Sequence, residues 1–309
     1  MKKVVLVLFI PMVCIAQNPI IKDFQITILS TMLSDTHIGE WGFSALIEAD
    51  GKRILFDSGL REKTVIQNAR ELKVNLENLE NIFLSHNHKD HTGGLMSLRE
   101  NYPTSFSTAH IGEGIFYPRL KAMGMGTGHY ILDNKNTLES LGINFINHIN
   151  PSQILPGLWT TGQIPRKYDE RNWSELGKMI DSKGNIVEDT IPEDQSLFFD
   201  TENGIVLISG CGHAGLVNTL EYVKEIIPDR PIYKIIGGFH LLNLDEKKLE
   251  WTAEKMKESG VKYFVGAHCT GLNSTYSIRD FMQLSSKNAL VGSVGTIINN
   301  NGILPGYMQ

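Results

Sequence analysis

The stretch Ser85-His86-Asn87-His88-Lys89-Asp90-His91-Thr92-Gly93-Gly94 constrains this chain more than any other. It puts three histidines and a carboxylate into six positions, after the apolar run Ile82-Phe83-Leu84 and before two glycines. That order reads as a buried strand running into a loop built for metal, because imidazole and carboxylate suit zinc and its borderline-hard neighbours. His86 and His88, two apart in extended backbone, point to the same side and converge on one ion. Asp90 and His91 lie beyond the bend and face a second, so the spacing predicts two metal ions. A lone histidine in a turn is ordinary; this density at a strand end is not.

The C-terminal half repeats the strand-then-histidine pattern. Gly204–Ser209 leads into Gly210-Cys211-Gly212-His213-Ala214-Gly215, and Leu216, Val217, Leu220, Val223 and Ile227 then recur at helical spacing. Residues 232–236 end in Gly237-Gly238-Phe239-His240, residues 245–258 read as a helix, and residues 261–267 end in His268-Cys269-Thr270-Gly271. Open α/β sheets carry their chemistry at the carboxyl ends of strands, which makes His213 and His268 candidate ligands. His240 is read as a residue that supports a ligand or touches substrate.

The N-terminal half starts as a β meander: Phe24–Ser30, Ser44–Ala49 and residues 53–57, the last two joined by Asp50-Gly51, a hairpin signal. Residues 61–73 carry Val65, Ile66, Ala69 and Leu72 at helical spacing, and Gly93-Gly94 opens another helix. Asp57, at the strand end Leu55-Phe56-Asp57-Ser58-Gly59, is expected to hydrogen-bond the back of a ligating imidazole. Residues 95–162 lack clean periodicity and hold the glycine-rich run Gly124-Met125-Gly126-Thr127-Gly128 with scattered aromatics. They read as a lid-type insertion that sets substrate preference. His110, His129 and His148 stand alone in or near it and read as ordinary polar residues.

With 309 residues, 41% hydrophobic and 20% charged, the chain has ample material for a large core. Lys+Arg 29 against Asp+Glu 34 gives a net charge of -5 and no basic cluster, so a small molecule and not nucleic acid is the expected partner. Oligomeric state is not legible. Lys2-Lys3, the apolar run 4–10 and Cys14-Ile15-Ala16 before Gln17 follow the order of a secretory signal, predicting removal of residues 1–16 and a periplasmic or secreted protein. A lipid anchor at Cys14 and a buried first strand are the alternatives. No later segment is long and apolar enough for a membrane span. Cys211 and Cys269 each sit beside a motif histidine, leaving open whether they pair or lie near metal.

Together these motifs resemble the metallo-β-lactamase superfamily, whose His-x-His-x-Asp-His signature stands here as His86-Asn87-His88-Lys89-Asp90-His91 with its strand-end Asp as Asp57. Within it the chain is most similar to the branch named after dihydropterin-ribofuranosylaminobenzene phosphate synthase. Thr161-Gly162-Gln163-Ile164-Pro165-Arg166, Asp194-Gln195-Ser196-Leu197 and the segments around Cys211, His240 and His268 carry that likeness. The resemblance implies an α/β fold, a four-layer αββα sandwich, formed by a single domain over residues 17–309. It implies a dinuclear site with His86, His88 and His213 on one ion and Asp90, His91 and His268 on the other. Two divalent ions are expected, zinc first, with manganese or iron as alternatives.

Two departures stand out: Thr161-Gly162-Gln163 replaces a Pro-Gly-His type turn, and Cys211 replaces a bridging Asp, leaving its role open. The first functional expectation is an exported metal-dependent hydrolase of an ester, lactone or phosphoester. In it a metal-bound water acidified from about 15.7 to about 7 attacks, and Asp90 doubles as ligand and catalytic proton relay. A pterin-related carbon–nitrogen bond-forming synthase is the alternative, ranked second because cytosolic pterin assembly sits badly with export. A flavodiiron-type redox role is disfavoured by His88, where those proteins carry Glu. A non-enzymatic metal-binding role would require a closed site.

Overall fold

The computed structural model describes residues 19–120, 129–174 and 176–307. Two sheets face each other, and helices cover the outside of both. The first has eight strands, in spatial order Gly302–Leu304, Ile297–Asn299, Phe24–Ser30, Ser44–Ala49, Lys52–Phe56, Asn81–Phe83, Thr108–Gly112 and Asn144–His148. The second has seven, in the order Ala289–Val291, Tyr263–Gly266, Ile232–Gly237, Gly204–Ser209, Leu197–Thr201, Leu158–Thr160 and Ser152–Leu155. The expected αββα sandwich is the observed fold.

The alternation of side chains along each strand builds the layers. On Gly204–Ser209, Val206 and Ile208 point between the sheets while Ile205 and Leu207 point out to the helices. With both faces covered, such a strand reads as a continuous apolar run. The layer between the sheets gathers Ile26, Ile28, Phe56 and Phe83 from the first sheet and Phe199, Val206, Ile236 and Val265 from the second. The helices Thr64–Glu71 and Leu95–Asn101 cover the first sheet, and Leu216–Ile226, Glu246–Glu258 and Leu272–Met282 cover the second. Asp50-Gly51 does make the hairpin turn: its φ angles of 44° and 74° are the paired positive values that a tight right-twisting turn requires.

Parallel pairing places one end of each sheet at the same edge. Lys52–Phe56, Asn81–Phe83, Thr108–Gly112 and Asn144–His148 run parallel in the first sheet, as do Gly204–Ser209, Ile232–Gly237, Tyr263–Gly266 and Ala289–Val291 in the second. The loops after Phe56, Phe83, Ser209, Gly237 and Gly266 therefore carry the motif residues.

Residues 95–162 are not an insertion outside the sandwich. They supply helices on the first sheet, its last two strands, of which Asn144–His148 is the edge, and two strands of the second sheet. Edge strands such as Asn144–His148 are only half covered, which blurs the period-2 signal on which the sequence reading relied. The charged stretch after Arg166 was also richer than its composition indicated. Lys178–Ile180 and Ile186–Glu188 form a hairpin that pairs with Arg119–Leu120 in a three-stranded sheet. Residues 1–16 and Gly124 to Gly128, on which the leader and part of the lid were read, lie outside the described residues. Among the described residues no helix is long and apolar enough to cross a membrane.

Candidate metal centre

The strand Asn81–Phe83 delivers His86 to the edge, fully buried. His88 is extended (φ -62°, ψ 143°) and starts the short helix Lys89–Thr92, which turns Asp90 and His91 toward the second sheet. His213 stands in the elbow between Gly204–Ser209 and Leu216–Ile226, and His268 opens the short helical turn His268–Thr270. Asp57, His240 and His268 all hold left-handed backbone, with φ of 53°, 48° and 46°. Non-glycine residues in that region are strained and cluster where function over-determines the backbone.

The six candidate ligands fall into two groups. The rings of His86, His88 and His213 lie within 4.8 Å of one another, centroid to centroid. In the other group His268 Nε2 is 3.3 Å from both Asp90 Oδ2 and His91 Nε2, and His91 Nε2 is 3.9 Å from Asp90 Oδ2. Cys211 Sγ lies 3.1 Å from His91 Nε2 and within reach of both groups. Cys211 and Cys269 are free thiols, not a disulfide.

Supporting contacts fix which nitrogen of each ring faces the centre. Asp57 Oδ2 sits 2.7 Å from His91 Nδ1, Ser85 Oγ 2.9 Å from His86 Nδ1, and the Asn172 carbonyl 2.5 Å from His213 Nδ1. Each ring is thereby anchored by Nδ1 and presents Nε2 inward, the arrangement that orients metal-binding imidazoles. His86 Nε2 and His213 Nε2 are buried and have no hydrogen-bond partner. A buried nitrogen without a partner is an unfavourable group unless a cation completes it.

The charge balance points the same way. Burial, together with the neighbouring rings, holds His86 and His213 well below the usual histidine range, and burial brings His88 down to about 4. These imidazoles are neutral and able to ligate. For His91 burial opposes charge, yet Asp57 and Asp90 outweigh it and raise the ring to about 9. Burial likewise opposes the charged form of Asp90, but His91 and His268 hold its carboxyl below the usual range. This group thus calls for positive charge, which a divalent ion supplies in place of the proton.

Other residues brace the loops: Asn172 is not singled out by the sequence, and Arg166 and Asp194 stand in the stretches that carry the likeness without a role assigned. Asn172 Nδ2 donates to the Gly212 carbonyl, Arg166 donates to the His213 carbonyl at 2.6 Å, and Asp194 accepts from the Ala214 amide at 2.8 Å. These contacts span 20 to 47 positions in sequence, so no local spacing announces them.

Two cavities meet at the centre. One of about 520 Å³ is walled by Trp41, Lys89, Arg119, His129 and Tyr130. The other, of about 540 Å³, is walled by Arg171, Asn172, Trp173, His213 and His240. His88 and Asp189 line both. His240 is 4.4 Å from the His213 ring, with Nδ1 3.3 Å from the Cys211 carbonyl. His129 thus faces a cavity beside the centre, whereas His110 and His148 bond to each other at 3.0 Å, away from both cavities.

Residues 42–228 match the metallo-beta-lactamase superfamily, and the chain belongs to that superfamily. It is 31% identical over 242 residues, 75% of this chain and 82% of the relative, to 7,8-dihydropterin-6-methyl-4-(beta-D-ribofuranosyl)-aminobenzene-5'-phosphate synthase of Methanocaldococcus jannaschii. It is 32% identical over 266 residues to an uncharacterized protein of the same organism, covering 83% of this chain and 92% of that one. Among solved structures, a metal-dependent hydrolase of the beta-lactamase superfamily superposes with a TM-score of 0.73 at 22% identity over 89% of this chain and 98% of the other. The metallo-beta-lactamase fold protein YhfI of Bacillus subtilis gives 0.55 at 11%, over 90% and 100%. At such identities the structural likeness speaks to the fold alone.

The chain therefore has the fold of a metal-dependent enzyme, and the branch expected from its motifs is supported. The exported-hydrolase expectation is corrected: the named relative that matches most of this chain is a synthase. The error has a physical source. The loop His86–His91 specifies what holds metal, but the electrophile is set by cavity walls that the motif does not encode.

Proposed function

We propose that this protein is a pterin-related synthase that forms a carbon–nitrogen bond between a 6-methylene dihydropterin and an aminobenzene bearing a ribofuranosyl 5'-phosphate. The observation that carries the reading is the 31% identity to such a synthase across 75% of the chain. The paired cavities favour it as well, since a coupling reaction must hold two substrates at once and His88 and Asp189 stand where the cavities join.

His86, His88 and His213 would hold one divalent ion, and Asp90, His91 and His268 a second, with zinc suited to so many imidazoles. When bound, the ions supply Lewis acidity toward an oxygen anion such as a leaving group. The chain's own groups do the rest. Trp41 and Tyr130 offer aromatic faces for a planar bicycle, and the other cavity is walled by Trp173 and by Arg171, whose guanidinium is paired with Glu188 and would have to exchange that partner to meet a phosphate. Attack by the arylamine nitrogen on the methylene carbon expels the leaving group and leaves a proton on nitrogen. His129, kept neutral by burial and by the Arg119 charge, lines the first cavity; its Nδ1 accepts from the Leu132 amide, and its Nε2, 3.4 Å from Arg119 and 3.3 Å from Asn87, would have to leave those donors to take the proton.

The test is to incubate metal-loaded protein with 6-hydroxymethyl-7,8-dihydropterin, free and as its diphosphate, together with the ribofuranosyl-aminobenzene phosphate. The coupled product is expected by mass, with the diphosphate preferred because hydroxide leaves poorly. Turnover of esters, lactones or phosphoesters with no coupling would overturn the reading. Location is a separate proposal, that residues 1–16 are removed on export, which together with the synthase reading requires both substrates outside the cytosol; intact mass of protein from its native host should then begin near Gln17, and an uncleaved Met1 rejects it.

A further inference from the structure

Cys211 is the one side chain common to both halves of the centre among the described residues. Its sulfur, with one ligand atom each from His86 and His213, forms a set lying within 4.8 Å of one another; with His91 and His268 it forms a second such set. The residue is 1% exposed, and its Sγ approaches His91 Nε2 to 3.1 Å. Because His91 Nδ1 is taken by Asp57, the nitrogen facing the sulfur is the one presented for coordination. Two further buried nitrogens, His86 Nε2 and His213 Nε2, face the same space without hydrogen-bond partners.

Backbone geometry holds the thiol there. A Cβ at Gly210 would lie 2.1 Å from Ser85 Oγ and 2.8 Å from Asp57 Oδ2, so only glycine allows the elbow to press against the metal loop. Gly212 on the other side has φ +63°. Cys269 is differently engaged: its sulfur accepts from the His240 amide at 3.4 Å and contacts the Cys211 carbonyl at 3.7 Å.

We infer that the Cys211 thiolate is a ligand shared by both metal ions. The inference rests on the two-ion reading above. A thiol loses its proton to solvent on coordination, and the resulting sulfur has lone pairs enough for two ions and a negative charge placed between two positive ones. It also makes the centre softer than histidine and carboxylate alone would, favouring zinc or cobalt over manganese.

Cobalt titration of the metal-free full chain tests this without any turnover assay. The sulfur-to-cobalt charge-transfer absorption should keep rising through the second equivalent, and should persist in Cys269→Ser. Cys211→Asp should still bind two equivalents, by elemental analysis, but lose the absorption. A band that saturates at one equivalent, one that survives Cys211→Asp, or two bound ions with no band would each overturn the bridge while leaving the two-ion reading intact. Binding of fewer than two equivalents by the unmutated chain would instead overturn the two-ion reading, and the bridge with it. Because the titration uses the unmutated chain, a failure of Cys211→Asp to fold leaves the test in place.

Discussion

Asp57 Oδ2 and His91 Nδ1 lie 2.7 Å apart, both side chains fully buried, joining the end of one strand to the turn that follows the next. The other carboxylate oxygen accepts the Ser85 amide at 2.7 Å, and Asp57 adopts φ +53° to make both contacts. One aspartate thus sets the ring orientation of His91 and the path of the loop that carries His86.

Asp57→Ala should therefore weaken metal binding by about 10–100-fold, the usual effect of losing a group that orients a ligating imidazole. Competition with a chromogenic chelator measures it. Affinity within about twofold of the unmutated chain would show that the contact does not orient His91.

Gly210→Ala places a methyl group against Ser85 and Asp57, whose side chains are tied to each other by a 2.7 Å hydrogen bond and would have to move together. The expected loss is about 1–3 kcal/mol in urea denaturation, accompanied by weaker metal retention. Gly184→Ala, where nothing lies within 4 Å but φ is +82°, is the comparison: it should lose stability through backbone strain alone and keep its metal.

Asn81, His110, His148 and Ser152 form a chain of hydrogen bonds with steps of 3.0, 3.0 and 2.8 Å between the first sheet and the second. Each ring must be neutral to accept at one nitrogen and donate at the other. Burial, with His148 beside it, lowers His110 from 6.5 to about 4. A histidine whose folded value is depressed contributes full stability above its unfolded value and loses it as pH falls, here between about 6.5 and about 4. The loss amounts to about 3 kcal/mol at most. Denaturant midpoints at pH 7 and pH 4.5 should differ less for His110→Gln than for the unmutated chain; an equal difference would remove His110 from the account.

Trp41→Leu should reduce dihydropterin binding about tenfold, because it removes an aromatic face from a cavity wall; the Trp41 ring also lies 4.8 Å from that of His268, so elemental analysis of the variant accompanies the measurement. Fluorescence titration with the pterin alone reads the affinity. Unchanged affinity would move the pterin to the cavity beside Trp173.

The sequence alone marked out the buried strands and the candidate ligands, for a local reason, while the sandwich that pairs those strands was expected only through the likeness of the motifs to a known superfamily. Strands buried on both faces announce themselves as apolar runs, and each of the loops carrying His86, His213 and His268 is marked by its own neighbours. Asp57 was legible on the same basis, as a carboxylate at a strand end. Only the tertiary structure decided what surrounds those ligands. That Cys211 sits between the two groups, that Asn172 anchors His213, and that His129 faces the centre while His110 does not all depend on packing between segments far apart in the chain. The hairpin Lys178–Ile180 and Ile186–Glu188 was hidden for a related reason: its strands of three residues, mostly half-buried, pair with Arg119–Leu120 and bury too little apolar surface to leave a pattern. Metal ligation is written in residue types at short spacing, whereas substrate choice lies in cavity walls contributed by distant segments.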